Sequence, residues 1–475
     1  MGSCEYIIEN SVLMKYVGAG GNIVIPDEIR KIGERAFMDN TKITGIIFSK
    51  GLTEIGDWAF SGCTGITDVV IPEGVTAIGG RAFDNCRNLK TIAFPASISL
   101  LGSGLFTRCS SIKRLSFSKD NPQFCSDGNC IIDKETNTLL MGCSSSTIPN
   151  YVKKIASFAF DSCEEVLKIN IPQSVEKIQA KAFIDCTGLT SITIPSSVRE
   201  IGFCAFMNCS GLEQISVAEN NPRYHSNSNC LIETATSTVL VGCKNSIIPD
   251  YISCIGCRAF ENCEELTNIS IPDSVTNIEF EAFRNCKKLN NVILPDKLKS
   301  IGNCAFTDCS AFTEITIPAS VTSLGDFAFA FCTKLKTVTI LDGLPSISYH
   351  AFGGCTELEC ITIPDSVTHI RRYAFIDCKT LASITIPNNI INIETKSFDG
   401  EVTSKSYPYI PSNAPSIESH AFKGCQKLNT IIISKNVAHI DEKSFGKRKR
   451  RTFHTSARSY AAQYAKENNI PFVAE

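Results

Sequence analysis

Cysteine is the residue with the most chemistry to offer in this 475-residue chain, which carries 24 of them. Thirteen occupy one column, three residues after a recurring Phe: Cys63, Cys86, Cys109, Cys163, Cys186, Cys209, Cys263, Cys286, Cys309, Cys332, Cys355, Cys378 and Cys425. Thiolates can act as nucleophiles, ligate metals or pair as disulfides, so the pattern has to decide among these. A small, weakly polar residue repeated at one position is what a buried ladder wants, where free Cys behaves as a compact hydrophobe. Stacked side chains with parallel vectors suit disulfide torsions poorly. The column is therefore expected to be reduced and structural, in a reducing compartment. Cys254 and Cys257 form a lone C-x-x-C. Zinc takes four ligands, usually from two such pairs, and no second pair occurs, so these two are also read as structural.

Other reactive types are thinner. The six His (His225, His350, His369, His420, His439 and His454) are scattered, and no nucleophile–base constellation can be assembled from them. No G-x-G-x-x-G or P-loop pattern is present. No catalytic residue, cofactor or metal is expected, and an enzyme is the least favoured class. Lys447-Arg448-Lys449-Arg450-Arg451 is a basic run that could bind nucleic acid or act as an import signal. A solvated loop is the expected reading. A formal net charge of −2 and a pI near 6.4 give no electrostatic footprint for nucleic acid.

What must position these residues is a repeat of 23 residues, roughly L-x-x-I-x-I-P-x-x-V-x-x-I-G-x-x-A-F-x-x-C. One copy runs through Leu189, Ile192, Ile194, Pro195, Val198, Ile201, Gly202, Ala205, Phe206 and Cys209. A fixed period of this length means a solenoid, because one unit cannot bury its apolar side chains alone and stacked units can. L-x-x-I-x-I alternates with period 2 and predicts a strand, paired in parallel with the next coil. V-x-x-I predicts a short extended piece. A-F-x-x-C predicts one helical turn with its Phe in the core. Two spacings, Phe106 to Phe160 and Phe206 to Phe260, exceed the period and mark matching insertions at about 118–147 and 218–247. Each predicts a β-hairpin. Residues 1–22 read as an N-terminal hairpin cap, 23–446 as the solenoid, and 447–475 as a C-terminal cap with a short helix.

The outward strand positions, such as Ser191/Thr193 and Thr337/Thr339, are small and polar. They fit either a contact face or ordinary soluble strand formers. One unit differs. Between Phe398 and Phe422 the spacing is 24, and Ser406-Tyr407-Pro408-Tyr409-Ile410-Pro411 replaces the regular strand. Tyr407 and Tyr409 count to outward positions there, with Ile432 outward in the next unit. They are candidate protein-contact residues, or else the mark of an irregular coil around Pro408.

The copies Ile271-Pro272-Asp273-Ser274-Val275 and Ile363-Pro364-Asp365-Ser366-Val367, each leading into A-F-x-x-C, resemble BspA-like leucine-rich repeat proteins of bacteria and some protists. The closing Ser459-Tyr460-Ala461 and Asn468-Asn469-Ile470-Pro471-Phe472 are similar to family features. The resemblance implies a right-handed leucine-rich repeat solenoid with a parallel β-sheet on one side and short helical turns and extended pieces on the other. It also implies protein binding or adhesion for some members, and no catalytic motif. The expected function is a non-enzymatic scaffold for a protein or peptide, with a cell-surface adhesin as the alternative. No apolar run approaches the ~18 residues of a membrane span, and the N-terminus does not read as a signal peptide. A cytoplasmic location is expected, or an extracellular surface if an export signal lies outside this sequence.

Overall fold

The structure, a computed structural model, describes residues 5–290, 292–381, 383–385, 390–398, 409–410, 416–422, 430–433, 435, 437–445 and 452–474. The chain divides into two compact units, 1–225 and 226–475. Each is a stack of coils built as the repeat dictates.

In unit 1 the strands Asp68–Val70, Thr91–Phe94 and Arg114–Phe117 pair in parallel and in register. Ile92 and Phe94 point into the core while Thr91 and Ala93 face outward, as period 2 requires. The V-x-x-I pieces do more than expected. Lys31–Ile32, Glu54–Ile55, Ala77–Ile78 and Leu100–Leu101 form a second parallel sheet, with two residues per rung. Each solenoid therefore carries two parallel sheets instead of the one expected. Unit 2 repeats the arrangement, with Glu314–Ile317, Thr337–Ile340 and Cys360–Thr362 in one sheet and Ser346–Ile347, His369–Ile370 and Asn392–Ile393 in the other.

The A-F-x-x-C segment is not the helical turn expected. In the coil of Phe283, alternate N–H groups bond to the next coil: Glu281 to Asn303 O, Phe283 to Ala305 O and Asn285 to Thr307 O, at 2.8–2.9 Å. The intervening N–H groups turn back three residues, as from Arg284 to Glu281 O. Glu281 and Asn285 have φ of 54° and 60°, which no right-handed helix contains. The second left-handed position, just before the Cys, is usually Asn or Asp: Asn85, Asp185, Asn208, Asn262, Asn285, Asp308 and Asp377. These residues tolerate that conformation best among those with a Cβ.

The marker Phe side chains stack along each unit. Ring centroids lie 4.8 Å apart from Phe37 to Phe60, and 5.0, 5.2 and 5.2 Å apart along Phe260, Phe283, Phe306 and Phe329. Within the first insertion, Phe124–Asp127, Cys130–Asp133 and Thr138–Met141 form an antiparallel meander, and the last of these pairs in parallel with Lys154–Ile155. Gly142 follows it and lies directly on the Phe160 ring; a Cβ there would fall 2.1 Å from Cε1. Gly142→Ala is expected to lower stability by about 1–3 kcal/mol through overpacking, read as a shift in the urea midpoint.

At the ends, Tyr6–Glu9 and Val12–Tyr16 pair antiparallel across Asn10 and Ser11, both at positive φ. The helix Tyr460–Glu467 starts at Ser459, whose hydroxyl accepts the Ala462 N–H at 3.1 Å. Ile470 and Phe472 pack against the core of unit 2.

Candidate binding surface

Among the described residues, the Cys column is part of the core. The Cys63, Cys86 and Cys109 thiols lie 3.1, 3.2 and 3.0 Å from the carbonyls of Phe37, Phe60 and Phe83 in the preceding coil. In unit 2, Cys286, Cys309, Cys332 and Cys355 do the same to Phe260, Phe283, Phe306 and Phe329 at 3.1–3.2 Å. A thiol here fills the space of a methyl group and adds one weak donor for a carbonyl that water cannot reach. Burial pushes the Cys355, Cys130 and Cys230 thiols up to about 12, so these are not nucleophiles.

Cys254 lies in a strand, 3.8 Å from Glu279 Oε1, and burial raises its pKa to about 11. Among the described residues no three His, Cys, Asp or Glu side chains converge to hold a metal. Two buried carboxylates, Glu261 and Glu281, sit close enough to raise the question of acid–base work. Both are engaged by arginines: Arg258 with Glu281 at 2.6 Å, and Arg284 with Glu261 at 3.2 Å and with Glu281 at 3.4 Å. A cavity of about 280 Å³ in unit 1 is lined by polar and apolar groups alike, Ser103, Ser157 and Gln179 beside Phe106, Met141 and Phe158. Asp161 on its wall has its pKa raised by burial, and accepts from Arg108 N and the Ser162 hydroxyl.

The outward face of the long sheet binds much of its own polarity. Thr193 and Ser216 hydroxyls meet at 2.9 Å, and Thr91 donates to Asp68 at 2.7 Å. Of the sequence candidates, Tyr407 lies outside the described residues, as does the basic run 447–451. Tyr409 and Ile432 are register partners in adjacent parallel strands, Tyr409–Ile410 and Thr430–Ile433.

Sequence reasoning missed a larger assembly of rings in unit 2. Phe327, His350 and Tyr373 occupy one column, two residues before the marker Phe, in three consecutive coils, each at positive φ. Phe327 stacks on His350 at 4.5 Å; Tyr349 meets Phe327 edge-on at 5.2 Å and Tyr373 at 5.7 Å; Phe331 lies 5.7 Å from His350. Phe331 and Tyr349 are 44% and 36% exposed, which a ring built only for the core would not be. Arg372 lies over the Tyr373 ring at 4.7 Å and Lys396 at 5.7 Å. Burial lowers the His350 pKa, which keeps the imidazole neutral among the rings. Reading the sequence in columns of 23 places Phe327, His350 and Tyr373 side by side, and that is the signal that finds them.

Among the described residues no helix is long and apolar enough to cross a membrane. The chain is similar to a leucine-rich cell surface protein of Faecalibacterium prausnitzii A2-165, at 25% identity over 76% of this chain and 93% of the other, with a TM-score of 0.50. It is similar also to leucine-rich repeat proteins of Bacteroides ovatus ATCC 8483 (23% identity, 82% and 92% covered, TM-score 0.46) and Eubacterium ventriosum ATCC 27560 (21%, 67% and 87%, 0.46). Comparison with curated proteins yields no match. The pattern of the BspA type leucine-rich repeat region matches residues 8–128, 138–253, 240–359 and 346–461. With coils, Phe stack and Cys ladder laid out as that repeat requires over most of its length, the chain belongs to the BspA-type leucine-rich repeat family.

Proposed function

We propose that the chain is a non-enzymatic repeat scaffold that holds a protein or peptide partner. The observation that carries this is the ring platform of Phe327, Phe331, Tyr349, His350 and Tyr373. Aromatic anchors dominate interface energetics, and a cluster of them left in contact with solvent costs free energy that a partner recovers. Tyr407, Tyr409 and Ile432 are proposed as a second contact patch. The thiols and buried carboxylates serve the core and its ion pairs, which supports a scaffold over an enzyme.

Affinity capture from the source lysate tests this, followed by titration of the captured partner. Phe331→Ala/Tyr349→Ala is expected to weaken binding at least about tenfold, and Thr337→Ala/Thr339→Ala to leave it unchanged. Loss only in Tyr407→Ala/Tyr409→Ala moves the contact to the second patch. Equal effects from every pair, or no partner at all, contradict the reading.

A second reading, an adhesin on the cell surface, is favoured by one observation: the Faecalibacterium neighbour is a cell surface protein. The thiol column, expected to be reduced, favours a reducing compartment instead. Fractionation of source cells, with thiol counting on the protein recovered, separates the two. Surface recovery with thiols still reduced supports the adhesin and contradicts the cytoplasmic placement.

A further inference from the structure

We propose that the ring platform of unit 2 docks a proline-rich peptide in the polyproline II conformation, presented by a protein partner. This rests on the scaffold reading above and names the class of partner.

The space for the rings is made deliberately. Gly353 and Gly354 stand where the next coil carries Ile376 and Asp377. A Cβ on Gly353 would fall 2.1 Å from His350 Nδ1, and one on Gly354 2.5 Å from Phe331 Cδ1. Both rings therefore lie against backbone, with their planes 44° apart. The flat face of a pyrrolidine ring packs well on an exposed aromatic ring such as Phe331, as in the aromatic-lined grooves that take proline-rich segments.

The rim has the matching polarity. Arg372 and Lys396 sit over Tyr373, and Arg372 Nη2 donates to its hydroxyl at 2.8 Å. Glu394, the carboxylate among them, is already taken by Arg371 Nη1 at 2.7 Å and the Arg372 N–H at 2.9 Å. The rim thus offers donors. A polyproline II chain offers solvated carbonyl acceptors and, at each Pro, no N–H to satisfy.

The repeat lengths agree as well. Polyproline II has three residues per turn at ~3.1 Å rise, so prolines on one face recur every ~9.3 Å. Parallel rungs lie ~4.8 Å apart, so Phe327 and Tyr373, two coils apart in one column, are about 9.6 Å apart along the stack. A proline at every third residue would meet a ring at every second coil. A single-stranded nucleic acid would instead want a strongly positive groove, which a chain of net charge −2 with Glu394 in the rim does not favour.

The test is calorimetric titration of the full chain with two synthetic peptides of equal proline number, one with Pro at every third residue and one at every fourth. The every-third peptide is expected to bind saturably and at least about fivefold more tightly. Phe331→Ala/Tyr349→Ala should weaken it about tenfold with the melting temperature held, whereas Thr337→Ala/Thr339→Ala should not weaken it. No saturable binding, equal affinity for both spacings, or indifference to the ring variant overturns the proposal. So does ring-dependent binding of a cello-oligosaccharide or of oligo-dT in place of the peptide. If a captured lysate partner depends on Phe331 and Tyr349 while neither peptide binds, the proline-rich class falls and the scaffold reading stands. If no partner is captured either, both fall.

Discussion

Raising the pH from 8 to about 10 in the presence of a reductant is expected to unfold this protein, before most of its lysines discharge. Ten well-buried thiols have their pKa pushed up: Cys63, Cys86, Cys130, Cys163 and Cys209 in unit 1, and Cys230, Cys263, Cys309, Cys332 and Cys355 in unit 2. Burial leads for eight of them; for Cys86 and Cys209 the neighbouring thiol, Cys109 or Cys186, comes first. An unfolded thiol ionises near ~8.5. Between that value and the folded one, about 12 for Cys355, the folded state keeps a proton that the unfolded state has released. Stability is therefore intact below ~8.5 and falls as pH rises, by about 1.4 kcal/mol per thiol per pH unit. The five thiols of each unit together lose about 7 kcal/mol in the first pH unit or so, comparable to the ~5–15 kcal/mol that holds an ordinary domain folded. Far-ultraviolet circular dichroism should collapse in the same narrow window in which thiolate absorbance appears. A signal unchanged past pH 10.5, or thiols that titrate gradually in the folded state, would show that the column is not buried as described.

Phe283→Ala is expected to cost about 3–5 kcal/mol, the range for emptying a Phe site in a packed core. Phe283 is fully buried between Phe260 and Phe306, at 5.0 and 5.2 Å, with ring planes within 9° and 3°. Removing it breaks the contact with two coils at once, and in a solenoid stability resides largely in contacts between neighbouring coils. Phe331→Ala, by contrast, removes a ring that is already 44% exposed and should cost less than about 1 kcal/mol. Urea unfolding of both variants in reductant checks the pair. Equal losses would contradict the division of the Phe residues into stack and platform.

That division also marks what could be read in the chain. The stack and the Cys ladder were legible because one residue type holds each column, and only a buried, repeated environment demands that. The A-F-x-x-C turn was misread because five residues are too few to show a helical period, while the deciding feature is the left-handed backbone at positions such as Glu281 and Asn285. The Asn or Asp that stands before most of these Cys was the available sign. The second sheet was not legible because two residues, as in Lys31–Ile32, are too few to show an alternation. The platform was hidden because its column varies: Arg35, Trp58 and Arg81 hold it in unit 1, where Phe327, His350 and Tyr373 hold it in unit 2. Its aromatics become neighbours only once the coils are stacked. The Tyr407 patch stood out instead because a slip in the period is visible along the chain, and contact across coils is not.

Hydrogen exchange on the full chain, with and without a captured protein partner, tests the scaffold account most directly. Backbone amides in 327–331, 349–354 and 371–373 are predicted to gain protection when the partner binds, while those of the sheet strands Glu314–Ile317 and Thr337–Ile340 stay as they were. Protection confined to those strands, with the ring platform still exchanging at its free rate, would contradict it.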